Sequence, residues 1–191
     1  MIDEDEDSDA QLAARALGGE DEAFTLLMRR HQGGLQGFVR RYVGDAEAAL
    51  EISQESFVAA WKALARYDGR RPFGTWLRAI ALNKCRDRGR RIAVRRIVFG
   101  DRDLESPEAQ RQSDPGPDAE ASLVAAQRRI ALGLAIARLP PNLKEPLILT
   151  YFEELSQEQT ADLLGVSAKA VETRVYRARR KLAELLGVDP D

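Results

Sequence analysis

The stretch LSQEQTADLLGVSAKAVETRVYRARRKL, residues 155–182, admits very few folds. Ser156 followed three residues later by Gln159 is a capping box, which marks where a helix begins. Ala161, Leu163 and Leu164 supply that helix with a packing face. Gly165 can take the left-handed conformation that ends it, Val166 fills the space behind the turn, and Ser167 caps a second helix. Two short helices about a tight turn are therefore expected.

The second helix has two unlike sides. At 100° per residue, Val171, Val175, Ala178 and Leu182 share one stripe. Lys169, Thr173, Tyr176, Arg177 and Arg180 lie opposite. A helix lying on a membrane would carry larger apolar groups. The apolar groups here are small and are needed for the core. A major-groove recognition helix fits best, with an acidic protein partner as the alternative. Arg177 and Arg180 are long enough to reach phosphates or guanine O6 and N7. Lys169, near the helix start, suits a phosphate. For Glu172 two readings stand: it accepts from cytosine N4, or it pairs with a neighbouring base of the chain.

The 191 residues carry a formal net charge of -2, but the charge is segregated. Residues 3–9 hold six acids and no base, whereas residues 62–96 hold twelve bases against two acids. Residues 101–120 reverse the balance, with seven acids against two bases. Two basic lobes separated by an acidic, proline-containing stretch point to binding of a polyanion. No apolar run approaches the roughly 20 residues that span a bilayer, so no membrane insertion is expected. The acidic start lacks the features of a signal peptide, and the single cysteine, Cys85, fits helix packing in a reducing, cytoplasmic setting.

No strand-like alternation of any length is present, so the fold class expected is all-α. A short helix capped by Ser8 or Asp9 should run to Leu17 and stop at Gly18-Gly19. A second is expected from about Glu20 to Tyr42, with Phe24, Leu27, Met28, Leu35, Phe38 and Val39 on its apolar side. A third carries Leu50, Ile52, Phe57, Val58, Trp61 and Leu64. YDGRRPFG breaks the pattern, and a fourth helix follows from Thr75 to Arg91. Residues 1–8 read as a disordered acidic terminus and 97–122 as a flexible acidic linker. Helices resume near Leu123 and, after LPPNL, run to about Glu154 with a slight bend at Pro146.

The segment ARYDGRRPFGTWLRAIALNKCRDRGRR interleaves aromatics with bases. Tyr67, Phe73 and Trp76 cluster around a loop, and Arg70, Arg71, Lys84, Arg86 and Arg90 are among the surrounding cations. Aromatic rings stack on unpaired bases while arginines follow the backbone, which suits opened DNA better than duplex. Trp76, beside Leu77 and Ile80, fits core packing better than stacking; Phe73 fits either. Asn83 can bond a base edge or a local turn.

With these residues in view, the chain resembles an extracytoplasmic-function, or group IV, sigma factor of bacterial RNA polymerase. DAEAALEISQESFVAAWKAL resembles the family's polymerase-clamp helix through Gln54, Glu55, Phe57, Ala60 and Trp61. FGTWLRAIALNKCRDRGRR resembles its −10 helix, and residues 139–182 its −35 domain. The resemblance implies two small helical domains: a sigma-2-like bundle over 9–96 and a sigma-4-like helix-turn-helix domain over 123–187. It implies that the polymerase core clamp is met by Asp45, Glu47, Glu51, Gln54, Glu55, Phe57 and Trp61. A −10 base would be captured in the loop from Tyr67 to Phe73, with Asn83 helping to hold the melted strand. The −35 duplex would be read by the second helix of the motif, from Ser167 through Glu172, Arg174 and Tyr176 to Arg180. Family members are often held by an anti-sigma protein, which is an expected partner beside promoter DNA. Where the family commonly has Asp-Ala-Glu this chain has Ala48, Ala49 and Leu50, and the loss of carboxylates is expected to weaken clamp binding or change the partner surface. A stand-alone helix-turn-helix regulator would need neither the clamp helix nor the aromatic loop. One histidine, His31, and one distant cysteine make no catalytic triad or zinc set, so no enzyme, metal or cofactor is expected.

Overall fold

The computed structural model describes residues 7–99 and 119–188, and among these every regular element is helical. In chain order they are α1 (Asp9–Leu17), α2 (Asp21–Val43), α3 (Ala46–Ala63), a single 3-10 turn (Leu64–Arg66), α4 (Phe73–Phe99), α5 (Ala119–Arg138), α6 (Pro141–Tyr151), α7 (Gln157–Leu164) and α8 (Ala168–Leu186). They form two compact units. The first holds α1, α2 up to Arg40, α3, the 3-10 turn and α4 up to Val94; the second holds α5 to α8, with Arg41–Asp45 and the end of α4.

The first unit begins with a complete capping box, in which Ser8 accepts from Gln11 N–H and Gln11 returns the bond. Asp7 pairs with Arg15. Asp7 and Ser8 therefore belong to the folded unit, not to a disordered terminus. Residues 1–6 lie outside the described residues.

Five of the six apolar residues expected on α2 are buried; Met28 is 37% exposed. On α3 the expected face is wrong in part. Ile52 and Phe57 are buried, but Leu50, Val58 and Trp61 are 48%, 54% and 41% exposed. The buried stripe of α3 is made of small residues, Ala48, Ala49, Ser53, Ser56 and Ala60, around those two larger ones. The Ser53 and Ser56 hydroxyls donate to the carbonyls of Ala49 and Ile52, each at 2.6 Å, which satisfies them inside the helix. The helix thus turns its small face inward and leaves three of its larger apolar groups toward solvent. Ala48 and Ala49 are thus core positions, and only Leu50 of that trio faces solvent.

The fourth helix starts at Phe73 and continues to Phe99, past the expected end at Arg91. The fifth starts at Ala119, inside the stretch expected as linker. The rest of that stretch, 100–118, lies outside the described residues.

In the second unit α8 packs on α5, α6 and α7. Ile136, Leu139, Leu147, Ile148, Leu149, Val171 and Ala178 form its core. Pro141 opens α6 in the first turn, where a missing N–H costs nothing, while Pro146 lies inside it. The helix ends at Tyr151 rather than near Glu154. The chain turns there, with Glu154 at φ 54° and the Leu155 N–H donating to the Leu149 carbonyl. Buried Lys144 donates to the Ala137 carbonyl at 2.6 Å, which satisfies an orphan acceptor at the end of α5.

Thr160 on α7 is fully buried, and its hydroxyl has no hydrogen-bond partner among the described residues. A buried unmade bond costs about 1–3 kcal/mol. Thr160→Val keeps the shape and removes that hydroxyl. It is expected to stabilise the second unit by about 1 kcal/mol, read as a rise in its calorimetric melting temperature. An unchanged or lowered melting temperature would show that the hydroxyl is solvated or bonded in solution.

Candidate nucleic-acid interface

The helix-turn-helix forms as its local signals demand. Gln159 N–H donates to Ser156 Oγ at 3.2 Å, and Ser156 N–H to Gln159 Oε1 at 2.8 Å. Gly165 adopts φ 67°, ψ 40°, the left-handed conformation required of it, and its N–H bonds the Ala161 carbonyl. Ser167 caps α8 by accepting from Ala170 N–H at 3.2 Å. Val171 and Ala178 are buried, and Val175 and Leu182 are half-buried beside them. Their packing turns the other side of α8 outward.

On that outward side Ser167, Lys169, Glu172, Thr173, Tyr176, Arg177 and Arg180 are exposed, and Arg174 is half-buried. Tyr176 is 60% exposed, a large amphipathic ring in open solvent. Glu172 pairs with Lys169 at 2.8 Å, a base one turn away, and Thr173 donates to the Lys169 carbonyl. Lys181 and Glu184 make a second pair farther along α8.

In the first unit the aromatic loop is a tight construction. Asp68 accepts from the Arg70 backbone N–H and from its guanidinium at 3.0 Å twice, while Arg71 N–H donates to the Asp68 carbonyl. These bonds, with Arg70's guanidinium first, hold the Asp68 carboxyl below the usual carboxylate range. A lowered folded-state pKa means this tie is fully present above the ordinary value. It is lost as pH falls through the lowered one. Tyr67 donates to the Arg71 carbonyl at 2.6 Å and closes the loop. Tyr67, Phe73 and Trp76 contact one another with ring centroids 5.2–5.4 Å apart.

The three rings are not equivalent. Phe73 is fully buried, so of the two roles its sequence position allowed, stacking on a base is corrected to core packing: it is the core member on which the other two rest. Tyr67 and Trp76 remain half-buried. Arg70 and Arg71 are exposed beside them. Along α4, Asn83 and Arg90 are exposed and Lys84 and Arg86 half-buried. Arg86 donates to Asn83 Oδ1 at 3.4 Å, and Arg90 pairs with Asp87.

The residues expected at a polymerase surface lie on α3 and just before it. Glu47, Gln54, Glu55, Glu51 and Trp61 are exposed, Asp45 is half-buried, and Phe57 is buried. Trp61 meets Phe24 edge-on at 4.9 Å, so half the indole anchors and half is offered to solvent. Glu51 pairs with Arg88 at 2.9 Å and Glu55 with Lys84 at 3.2 Å. One turn forward on α3 is one turn back on α4, the register of antiparallel helices. Sequence reasoning assigned Glu51, Glu55 and Lys84 to separate surfaces and missed this ladder. Its signal was present: acids four residues apart on one helix and bases four apart on another.

Among the described residues no helix is long and apolar enough to cross a membrane. Residues 27–95 match the Sigma-70 region 2 family, and residues 129–182 match Sigma-70, region 4. The chain is 38% identical over 190 residues to the RNA polymerase sigma factor CnrH of Cupriavidus metallidurans, covering 97% of this chain and 98% of that one. It is 41% identical over 180 residues to the RNA polymerase sigma factor NccH of Alcaligenes xylosoxydans xylosoxydans, covering 93% and 94%. It is 30% identical to the ECF RNA polymerase sigma-E factor of Haemophilus influenzae over 92% of this chain and 93% of that one. Among solved structures it is similar to CnrH in complex with the cytosolic domain of CnrY. There the TM-score is 0.67, with 32% identity over 95% of this chain and 98% of that one. With two helical units, an outward basic recognition helix and a base-flanked aromatic loop, the chain belongs to the extracytoplasmic-function sigma factors of RNA polymerase, the regulatory subunits that direct promoter-specific transcription.

Proposed function

We propose that the two units divide the promoter between them. The helices α5 to α8 read the −35 duplex, and the helices α1 to α4 bind polymerase core and capture the −10 element. The observation that carries this is the contrast in side-chain presentation. The outer face of α8 offers long polar side chains while its apolar stripe packs inward, Val171 and Ala178 fully buried and Val175 and Leu182 half-buried, as groove reading requires. At the Tyr67–Phe73 loop, Tyr67 and the neighbouring Trp76 offer half-buried rings within a hydrogen-bonded, base-rich frame, as capture of an unstacked base requires.

On α8, Arg177 and Arg180 contact bases or phosphates, Lys169 contacts phosphate, and Ser167, Thr173, Arg174 and Tyr176 add backbone contacts. At −10, Tyr67 and Trp76 line the pocket with Arg70 and Arg71. Asn83, Lys84, Arg86 and Arg90 follow the melted strand along α4. Phe73 supports from within the core. Toward polymerase, Trp61, Gln54 and Glu47 present the exposed side of α3 with Glu51, Glu55 and Asp45, and buried Phe57 shapes it. Leu50 and Val58 make that surface more apolar than carboxylates would.

The chain acts in the cytoplasm on polymerase core and has no catalytic activity of its own. A protein partner of the anti-sigma kind holds it inactive, as suggested by the complex of its relative CnrH with the cytosolic domain of CnrY. A stand-alone regulator is the lesser reading, because it leaves α3 and the aromatic loop without a purpose.

The test is transcription in vitro by core polymerase on genomic fragments, with and without the protein. New transcripts sharing a −35 and −10 pair are expected. Duplex binding with no core-dependent transcript would support the stand-alone reading.

Glu172→Ala is a sharper probe of the −35 assignment. With its carboxylate engaged by Lys169 on the surface, the substitution is expected to change stability by no more than about 0.5 kcal/mol. It should tighten promoter binding slightly by removing a charge that repels phosphate, and leave the preferred sequence unaltered. A changed preference at one base pair would identify Glu172 as a reader of cytosine.

A further inference from the structure

We propose that α1 forms an outer wall of the −10 loop, and that Asp9 and His31 are positioning residues for base capture, acting through Phe73 and Gly74. Neither falls within the −10 assignment above, and α1 precedes the residues matched to region 2.

His31 is the chain's sole histidine, and its surroundings are specific. Its Nε2 lies 2.7 Å from Asp9 Oδ2, while Asp9 Oδ1 accepts from Arg30 Nη1 at 2.8 Å. Arg30 Nη1 also donates to the Asp7 carbonyl at 3.0 Å. The start of α1 is thereby tied to one turn of α2. With Nε2 committed to Asp9, the other edge of the imidazole faces the start of α4. A methyl group on Gly74 would stand 3.3 Å from His31 Nδ1 and 3.4 Å from Cε1. The imidazole centroid is 5.2 Å from that of Phe73, the buried ring that carries Tyr67 and Trp76.

The same turn of α1 meets the loop at a second point. A methyl group on Gly69 would stand 3.3 Å from the Ala10 Cβ. The Tyr67 phenol is raised above its ordinary pKa chiefly by burial, with Asp9 and Asp68 adding to it, so the Asp9 charge is felt in the loop. Residues 9 and 10 therefore brace the loop in its middle through Gly69 and at its end through His31. A pocket for an extruded base gains from walls that do not yield, since displacement of about 1 Å can cost a hundredfold in rate. The Asp9–His31 pair supplies that stiffness without touching DNA.

The inference rests on the −10 role of the Tyr67–Phe73 loop. Its test uses the full chain with core polymerase and a set of promoters that vary the −10 bases. The readouts are the rate of strand opening, the preference among −10 bases, and affinity for core. His31→Ala and Asp9→Ala are each expected to slow opening by about tenfold and flatten the base preference, with core affinity unchanged. His31→Gln, which keeps a donor for Asp9, should restore much of the preference. Opening and preference unchanged in both alanine variants, with Tyr67→Ala altering the preference, would overturn this proposal alone. An equal loss of core affinity in the alanine variants would overturn it too, by reducing the pair to a general support of the fold. If Tyr67→Ala itself leaves the preference unchanged, the loop assignment fails and the proposal falls with it.

Discussion

Phe73→Ala is expected to lower the unfolding free energy of the first unit by about 3–5 kcal/mol. The ring is fully buried, and it contacts His31, Tyr67 and Trp76 at centroid distances of 5.2–5.4 Å. Truncation removes the transfer free energy of the ring and leaves a cavity that three aromatic neighbours cannot fill without leaving their own contacts. Phe73→Leu keeps most of the volume and should cost less than about 1.5 kcal/mol. Both of the chain's tryptophans, Trp61 and Trp76, lie in this unit, so denaturant unfolding followed by tryptophan fluorescence reports it alone. A loss below about 1.5 kcal/mol for the alanine variant would mean that the ring is not the keystone its burial indicates.

Arg177→Ala and Arg180→Ala are each expected to weaken promoter binding by the polymerase holoenzyme by about 1–3 kcal/mol, roughly fivefold to 150-fold. Both side chains are exposed on α8, so protein stability should not change. The two possible contacts separate experimentally. Loss of a guanine contact relaxes the preference at one −35 base pair. Loss of a phosphate contact weakens all sequences alike and lowers the salt slope by about one. Lys181→Ala serves as the comparison, because Lys181, one turn past Arg177, is already paired with Glu184 at 2.8 Å. Binding unchanged in both arginine variants would remove α8 from the −35 assignment.

Much of the helix-turn-helix was legible because its signals are local. A serine and a glutamine three residues apart, a glycine at the turn and a second serine each satisfy backbone groups within four residues. None of these bonds waits for the rest of the fold. The stripe of Val171, Val175, Ala178 and Leu182 was equally legible, since a single helix with one partner face obeys its period. The first unit was less legible. There α3 carries apolar residues on two sides, and size suggested that Leu50, Val58 and Trp61 were core. The core instead took Ala48, Ala49, Ser53, Ser56 and Ala60 around Ile52 and Phe57, a choice of face that residue size alone does not foretell.

By itself the sequence determined the all-helical class, the capped turn before α8, the outward basic face of that helix and the aromatic character of the loop before α4. These follow from periodicity, capping chemistry and charge, which act over one or two turns. Only the tertiary structure decided that Phe73 is buried while Tyr67 and Trp76 stay at the surface. It alone paired Glu51 and Glu55 with Arg88 and Lys84, and brought Asp9 to His31 across 22 residues of chain. Those contacts join residues remote in sequence, and their geometry is set by how whole helices pack.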